Sequence, residues 1–178
     1  MRTMLVCALG TGIALATPAL AQTDAPIVDR TLKASFVGAD GNDIGTAGLT
    51  QTEKGVLIQI EIEGLPADSW VAFHVHETDS CDAQDGFKSA GGHFNPEGVD
   101  HGFLVKSGPH AGDMPNQYVG ADGMLRADVL NPNVSLAGGN ASIQGRTLMI
   151  HAGKDDYKSQ PSGDAGNRIA CAIIGAAT

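Results

Sequence analysis

The sequence predicts an all-β domain, a sandwich or barrel of short strands. Three observations carry this. Apolar and polar residues alternate with period two in several stretches, no window of ten or more residues shows a helical period of 3.6, and Gly-, Asn- and Asp-containing turns separate the stretches. In chain order, residues 34–37 and 47–52 form the first strands, with Asp40-Gly41-Asn42 turning between them. Glu53-Lys54-Gly55 turns into 56–63, V-L-I-Q-I-E-I-E, in which Ile58, Ile60 and Ile62 face one way and Gln59, Glu61 and Glu63 the other. Residues 70–77, W-V-A-F-H-V-H-E, alternate again, with Val71, Phe73 and Val75 on the apolar face. Ala121-Asp122-Gly123 leads into a strand over 124–130, and 147–151 and 168–174 complete the set. Two stretches, 78–117 and 152–167, are long, Gly-rich and polar, with too few apolar positions for strands. Loops of that length in a compact domain are usually functional or disordered.

Composition narrows the function. The 178 residues include 24 Gly and 8 Pro, which argues against a helix bundle or coiled coil. A hydrophobic content of 42% supports a packed core, and the length suits one domain. Acidic residues outnumber basic ones 20 to 11, a net charge of −9, so the chain lacks the basic footprint of a nucleic-acid binder or a polybasic membrane-surface protein. Met1-Arg2, an apolar run over 4–16 too short to span a bilayer, and Ala19-Leu20-Ala21 predict a signal peptide over residues 1–21. Its removal leaves 22–178 as the mature domain, exported to a periplasm or outside the cell, with no membrane span. Cys7 departs with it, and Cys81 and Cys171 remain as an even pair that favours a disulfide in an exported protein. Asn133-Val-Ser and Asn140-Ala-Ser are glycosylation sequons in a host that glycosylates exported proteins.

The histidines are concentrated. All six, His74, His76, His93, His101, His110 and His151, lie between positions 74 and 151. His74 and His76 are two apart on a strand, so both imidazoles project from the face opposite Val71, Phe73 and Val75. His93, His101, His110 and Asp113 offer three nitrogens and one carboxylate, a complete tetrahedral set for zinc. His74, His76 and His151 form a second group of nitrogens, with no thiolate, that suits copper. These seven ligands serve two four-coordinate ions if one imidazole binds both through its two ring nitrogens.

The motifs Phe73-His74-Val75-His76, Gly92-His93-Phe94-Asn95-Pro96, His110-Ala-Gly-Asp113 and Ile150-His151, with the segment 163–174 containing Arg168 and Cys171, occur with loop spacings of eight, nine and three. In this the sequence resembles the copper/zinc superoxide dismutases, of the exported bacterial type. The resemblance implies a Greek-key β-barrel of about eight antiparallel strands with two long functional loops. It implies copper on His74, His76, His93 and His151, and zinc on His93, His101, His110 and Asp113, with His93 as the bridging imidazolate. Cys81 and Cys171 match the intrasubunit disulfide, and Asp155 matches a carboxylate that links His74 to His101. Arg168 matches the guanidinium that guides the anionic substrate, and Ser162 stands where the family has a hydroxyl residue at the channel rim. Because the net charge would repel an anion, local positive potential is needed at the channel mouth, with Arg168 as its candidate source and Lys154 or Lys158 assisting. The implied reaction converts superoxide to dioxygen and hydrogen peroxide, with His93 leaving copper and holding a proton in the reduced state. A homodimer is compatible with the resemblance.

The chain departs from the family in carrying Val71-Ala72 where many members have His-Gly, and in a segment after His76 that lacks the usual Gly or Pro. No ligand is affected. The rival reading, a non-catalytic copper- and zinc-binding protein on the same scaffold, would be favoured were a copper ligand or Arg168 missing. A zinc hydrolase would need an open zinc position, which four protein ligands close.

Overall fold

The computed structural model describes residues 30–175, so the expected signal segment over 1–21 lies outside the described residues. Eight strands follow in sequence: β1 (Thr31–Gly38), β2 (Asp43–Thr52), β3 (Gly55–Ile62), β4 (Ser69–His76), β5 (Gln117–Val119), β6 (Leu125–Asn131), β7 (Thr147–His151) and β8 (Arg168–Ile173). All pairs are antiparallel, in the spatial order β5-β4-β7-β8-β1-β2-β3-β6. The β3–β4 and β6–β7 connections cross the barrel, the Greek-key pattern, and the turn between β5 and β6 brings the two ends of the order together into a nearly closed barrel.

Alternation builds the wall. On β3, Val56, Ile58, Ile60 and Ile62 are buried and Gln59 and Glu61 are exposed, as period two requires. They pack in one core with Phe36, Leu49, Val71, Phe73, Val75, Leu148 and Ile150. Each fully buried aliphatic side chain of this kind stabilises the fold by about 1.5–3 kcal/mol. The sequence missed β5, whose three residues are too few to display a period, and placed Gln117 in the preceding loop. The strands β1 and β2 extend beyond 34–37 and 47–52 because ladder hydrogen bonds continue through residues with no clear pattern.

Only one face of β4 meets this core, yet Val71 through His76 are all buried. The outward face is covered by loop 77–116, which contains two short 3-10 turns, Ala83–Asp85 and Lys88–Ala90. Phe87 and Ala90 from that loop pack on Met149 and Cys171 in a second apolar cluster on the outside of the wall. The Cys81–Cys171 disulfide, closing 90 residues of chain, ties the loop to β8 at this point. In the loop-entropy account such a link is worth on the order of 4–5 kcal/mol. Replacing both cysteines by serine is expected to lower unfolding stability by about 2–5 kcal/mol in urea titrations; a change below about 0.5 kcal/mol would show that the covering loop holds without the link.

Candidate metal centre

The strand β5 pairs with β4 only as far as Val71. Beyond that point two segments of loop 77–116 take over the vacated edge. The Val75 N–H donates to Gly112 O at 2.9 Å, Val75 O accepts from Phe94 N at 2.8 Å, and Glu77 N–H donates to Gly92 O at 3.0 Å. This ladder sets Asp113 beside His74 and His93 beside His76. Glycine is required at 112, where a Cβ would lie 2.4 Å from Val75 O. The alternation of β4 and the loop's return along its edge thus deliver four site residues to one place.

Two groups of four side chains result: His74, His76, His93 and His151, and His93, His101, His110 and Asp113. Within each, the donor atoms lie within 4.8 Å of one another, and every member is buried. His93 belongs to both. Its Nδ1 is 2.9 Å from Asp113 Oδ1, while Nε2 is buried without a partner. His74 is the mirror case, with Nε2–H donating to Asp155 Oδ2 at 2.8 Å and Nδ1 unpartnered. The Nδ1 of His76 and of His151 face the carbonyls of Gly91 (3.0 Å) and Gly166 (3.3 Å), and a carbonyl can only accept. Those protons therefore sit on Nδ1, and the two Nε2 lone pairs face each other at 3.3 Å. Four lone pairs, from His74 Nδ1 and Nε2 of His76, His93 and His151, converge without a donor. One cation can satisfy all four at once, and four imidazoles suit copper.

The second group fits zinc. Nδ1 of His93, His101 and His110 lie 2.9, 3.1 and 3.4 Å from Asp113 Oδ1. Donors bound at 2.0–2.1 Å in a tetrahedron stand roughly 3.3 Å apart. The other oxygen of Asp113 accepts from the N–H groups of Gly102 (2.9 Å) and His110 (3.0 Å), which fixes the carboxylate. Between the groups, Asp155 spans from His74 to His101 Nε2, at 3.1 Å on its Oδ1. Partners of this kind orient a ligand ring and set its tautomer.

Burial dominates the protonation states. It pushes His74 and His76 down, and takes His93 to about 4 and His151 to about 3, so all four are neutral at pH 7. For His101 burial works in the same direction, but the hydrogen bonds to Asp113 and Asp155 outweigh it and lift the ring to about 9. Burial alone would raise Asp113 and Asp155; bonds from His101 and His93 to the first, with His110 close beside it, and from His101 and His74 to the second, hold both well below the usual carboxylate range.

Arg168, at the start of β8, donates from Nη1 to Phe87 O and from Nη2 to Gly91 O, so it ties down the same backbone that His76 uses. Its charge is felt at His76 and His151, lowering both. Lys154 and Lys158 are exposed on loop 152–167 and Ser162 is half-buried there. Sequence reasoning passed over Tyr157 and Gln160, and took in Asn116 and Gly163 only as parts of longer motifs, without a role. The last is legible only in three dimensions: at φ +70°, a Cβ there would lie 1.9 Å from Asp155 Oδ1 and 2.7 Å from His101 Nε2.

These shifts fix how the metal-free protein responds to pH. Unfolded histidine titrates near 6.5, while folded His93 and His151 titrate near 4 and 3, so acidification below 6.5 loads protons on the unfolded chain first and stability falls. His101 acts on the other side: its contribution is complete below 6.5 and is lost as pH rises through about 9. The melting temperature of metal-free protein should therefore peak near neutrality and drop in both directions. A value that climbs steadily from pH 7 to pH 5 would contradict these assignments.

Comparison with known proteins supplies the lineage. A family model described as copper/zinc superoxide dismutase (SODC) matches residues 44–174. Superoxide dismutase [Cu-Zn] 2 of Aquifex aeolicus is 49% identical over 145 residues, covering 79% of this chain and 84% of that protein. An extracellular superoxide dismutase [Cu-Zn] of Brugia pahangi is 38% identical over 144 residues, covering 76% of this chain and 70% of its own. Among solved structures, a SOD-like protein from Bacillus subtilis superposes with a TM-score of 0.76 at 37% identity, over 79% of this chain and 96% of that one. By its sequence, its fold and these relatives, the chain belongs to the copper/zinc superoxide dismutase family.

Proposed function

We propose that this protein dismutes superoxide to dioxygen and hydrogen peroxide, with copper held by His74, His76, His93 and His151 and zinc by His93, His101, His110 and Asp113. The observation that carries the reading is the pair of four-donor groups sharing one imidazole, His93. Copper in the first group would supply a one-electron Cu(II)/Cu(I) couple able to take an electron from one superoxide and return it to another, and redox-silent zinc in the second would supply a fixed positive charge. The rest of the work belongs to the chain. Gly91 O, Gly166 O and Asp155 fix the rings of His76, His151 and His74 before any ion arrives, so little reorganisation accompanies binding. Asp113 holds His93 from the Nδ1 side, which leaves Nε2 as the atom that would bind copper or hold a proton.

Arg168 positions the substrate. A chain with a net charge of −9 repels an anion at long range, so attraction must be local. A guanidinium half-buried beside the histidines makes both its hydrogen bonds to neutral carbonyls and forms no ion pair among the described residues, although the charge of Asp85 reaches it. Field focusing of this kind raises on-rates by roughly 10–10³. Residues 1–21 act as the export signal for the domain over 22–178; the Met1-Arg2 start, the apolar run and Ala19-Leu20-Ala21 support this. Among the described residues no helix is long and apolar enough to cross a membrane.

The test is the decay of superoxide, generated by pulse radiolysis, over copper- and zinc-loaded protein. Fast decay that slows with added salt is expected, and decay no faster than with metal-free protein would leave a metal carrier. Arg168→Ile should slow decay at least about tenfold and flatten the salt dependence. Arg168→Lys keeps the charge but not the fork of donors to Phe87 and Gly91, and should retain the salt dependence. Unchanged decay in Arg168→Ile would remove this residue from substrate guidance.

A further inference from the structure

Loops 77–116 and 152–167 carry the two ends of the His101–Asp155 contact, and neither loop has regular structure at that point. Two side-chain amides cross between them in opposite directions. Asn116, at the end of the first loop, donates from Nδ2 to Asp155 O at 2.9 Å, and its Oδ1 accepts from Asp155 N at 2.8 Å. Gln160, on the second loop, accepts from His101 N at 2.8 Å through Oε1 and donates from Nε2 to His101 O at 2.9 Å. In each case the backbone N–H can only donate and the carbonyl can only accept, so the orientation of both amides is forced. Each amide thus grips both backbone polar groups of a single residue on the opposite loop, and the two gripped residues are the ones whose side chains meet.

We propose that Asn116 and Gln160 form a reciprocal clasp that positions Asp155 and His101, and through them the rings of both metal groups. The inference rests on the metal reading above and deepens it. Asp155 aims one oxygen at His74 and the other at His101, at 2.8 and 3.1 Å, so a small shift of its backbone lengthens one bond or both. The clasp fixes the main chain at both ends of that span. Gly163 closes the third side, where any side chain would strike the Asp155 carboxylate. Tyr157 reinforces the junction, its hydroxyl accepting from Asn116 N at 2.7 Å and its carbonyl accepting from Leu104 N at 3.0 Å. Asn116 and Gln160 are positioning residues: neither offers an atom to either four-donor group.

The experiment uses the full chain loaded with copper and zinc, with two readouts: the chelator concentration that removes half the zinc at pH 7, and the Cu(II) EPR spectrum. In Gln160→Ala and Asn116→Ala, the chelator midpoint should fall about tenfold, the lower end of the effect seen when outer partners of ligands are lost. The copper hyperfine pattern should shift with it, as Asp155 loosens its hold on His74. Gln160→Glu returns the acceptor for His101 N and should recover part of both effects, which a general loss of stability would not do. Wild-type midpoints and spectra in both alanine variants would overturn the clasp. Because Asn116 is buried, its variant risks misfolding; Gln160 is exposed, and Gln160→Ala then decides alone. A wild-type protein that takes up neither ion would overturn the metal reading itself, before any variant is compared.

Discussion

Six imidazoles and two carboxylates are buried on the outside of a β-barrel, and the cost of keeping them from water dictates much of the remaining architecture. Unpaired polar groups in such a place are expensive, and unpaired charges more so. The chain answers with pairing. Asp113 and Asp155 each serve several histidines, and backbone carbonyls take the outward nitrogens of His76 and His151. Among these imidazoles the buried nitrogens left without a partner, His74 Nδ1, His93 Nε2 and His110 Nδ1, all belong to the two four-donor groups, where ions fit. The loops covering β4 are therefore long because they must supply ligands, partners for ligands and a lid at once. The disulfide and Arg168 secure the part of the lid that has only a small apolar cluster to hold it.

Much of this was legible in the sequence, for physical reasons that differ by element. The wall strands β3 and β4 show period two because one face of each meets the core, and the same alternation put His74 and His76 on the opposite face. The loops showed as interruptions of that rhythm, close to their observed limits, since a strand ends where alternation does. β5 was invisible because three residues carry no period, and its shortness is what frees the edge of β4 for the ligand loop. The partners of the ligands were harder. Asn116 and Gln160 are ordinary loop residues by composition, and what singles them out is a contact across 39 or 59 positions of chain. The grip of Arg168 on Phe87 and Gly91 was equally hidden, because a carbonyl acceptor leaves no trace in the side-chain sequence.

The site also resolves a tension in the charge. A strongly acidic chain handles a small anion by pairing the carboxylates that touch the four-imidazole group, Asp155 on His74 and Asp113 on His93, with histidines, and by leaving beside that group one guanidinium that bonds only to carbonyls. Burial that keeps the copper-group histidines neutral at pH 7 leaves Arg168 as the local source of positive potential before an ion binds. The same dry surroundings strengthen its field.

The claim on which the account turns is that His93 serves both groups through its two nitrogens. It is tested most directly by loading Cu(II) into both sites and counting unpaired spins by EPR. A shared imidazolate couples the two ions antiferromagnetically, so the account predicts that on cooling toward liquid-helium temperature the spin count falls well below the copper content measured on the same sample. Two independent Cu(II) spectra that sum to the full copper content would contradict the bridge, and with it the reading of the two groups as one centre.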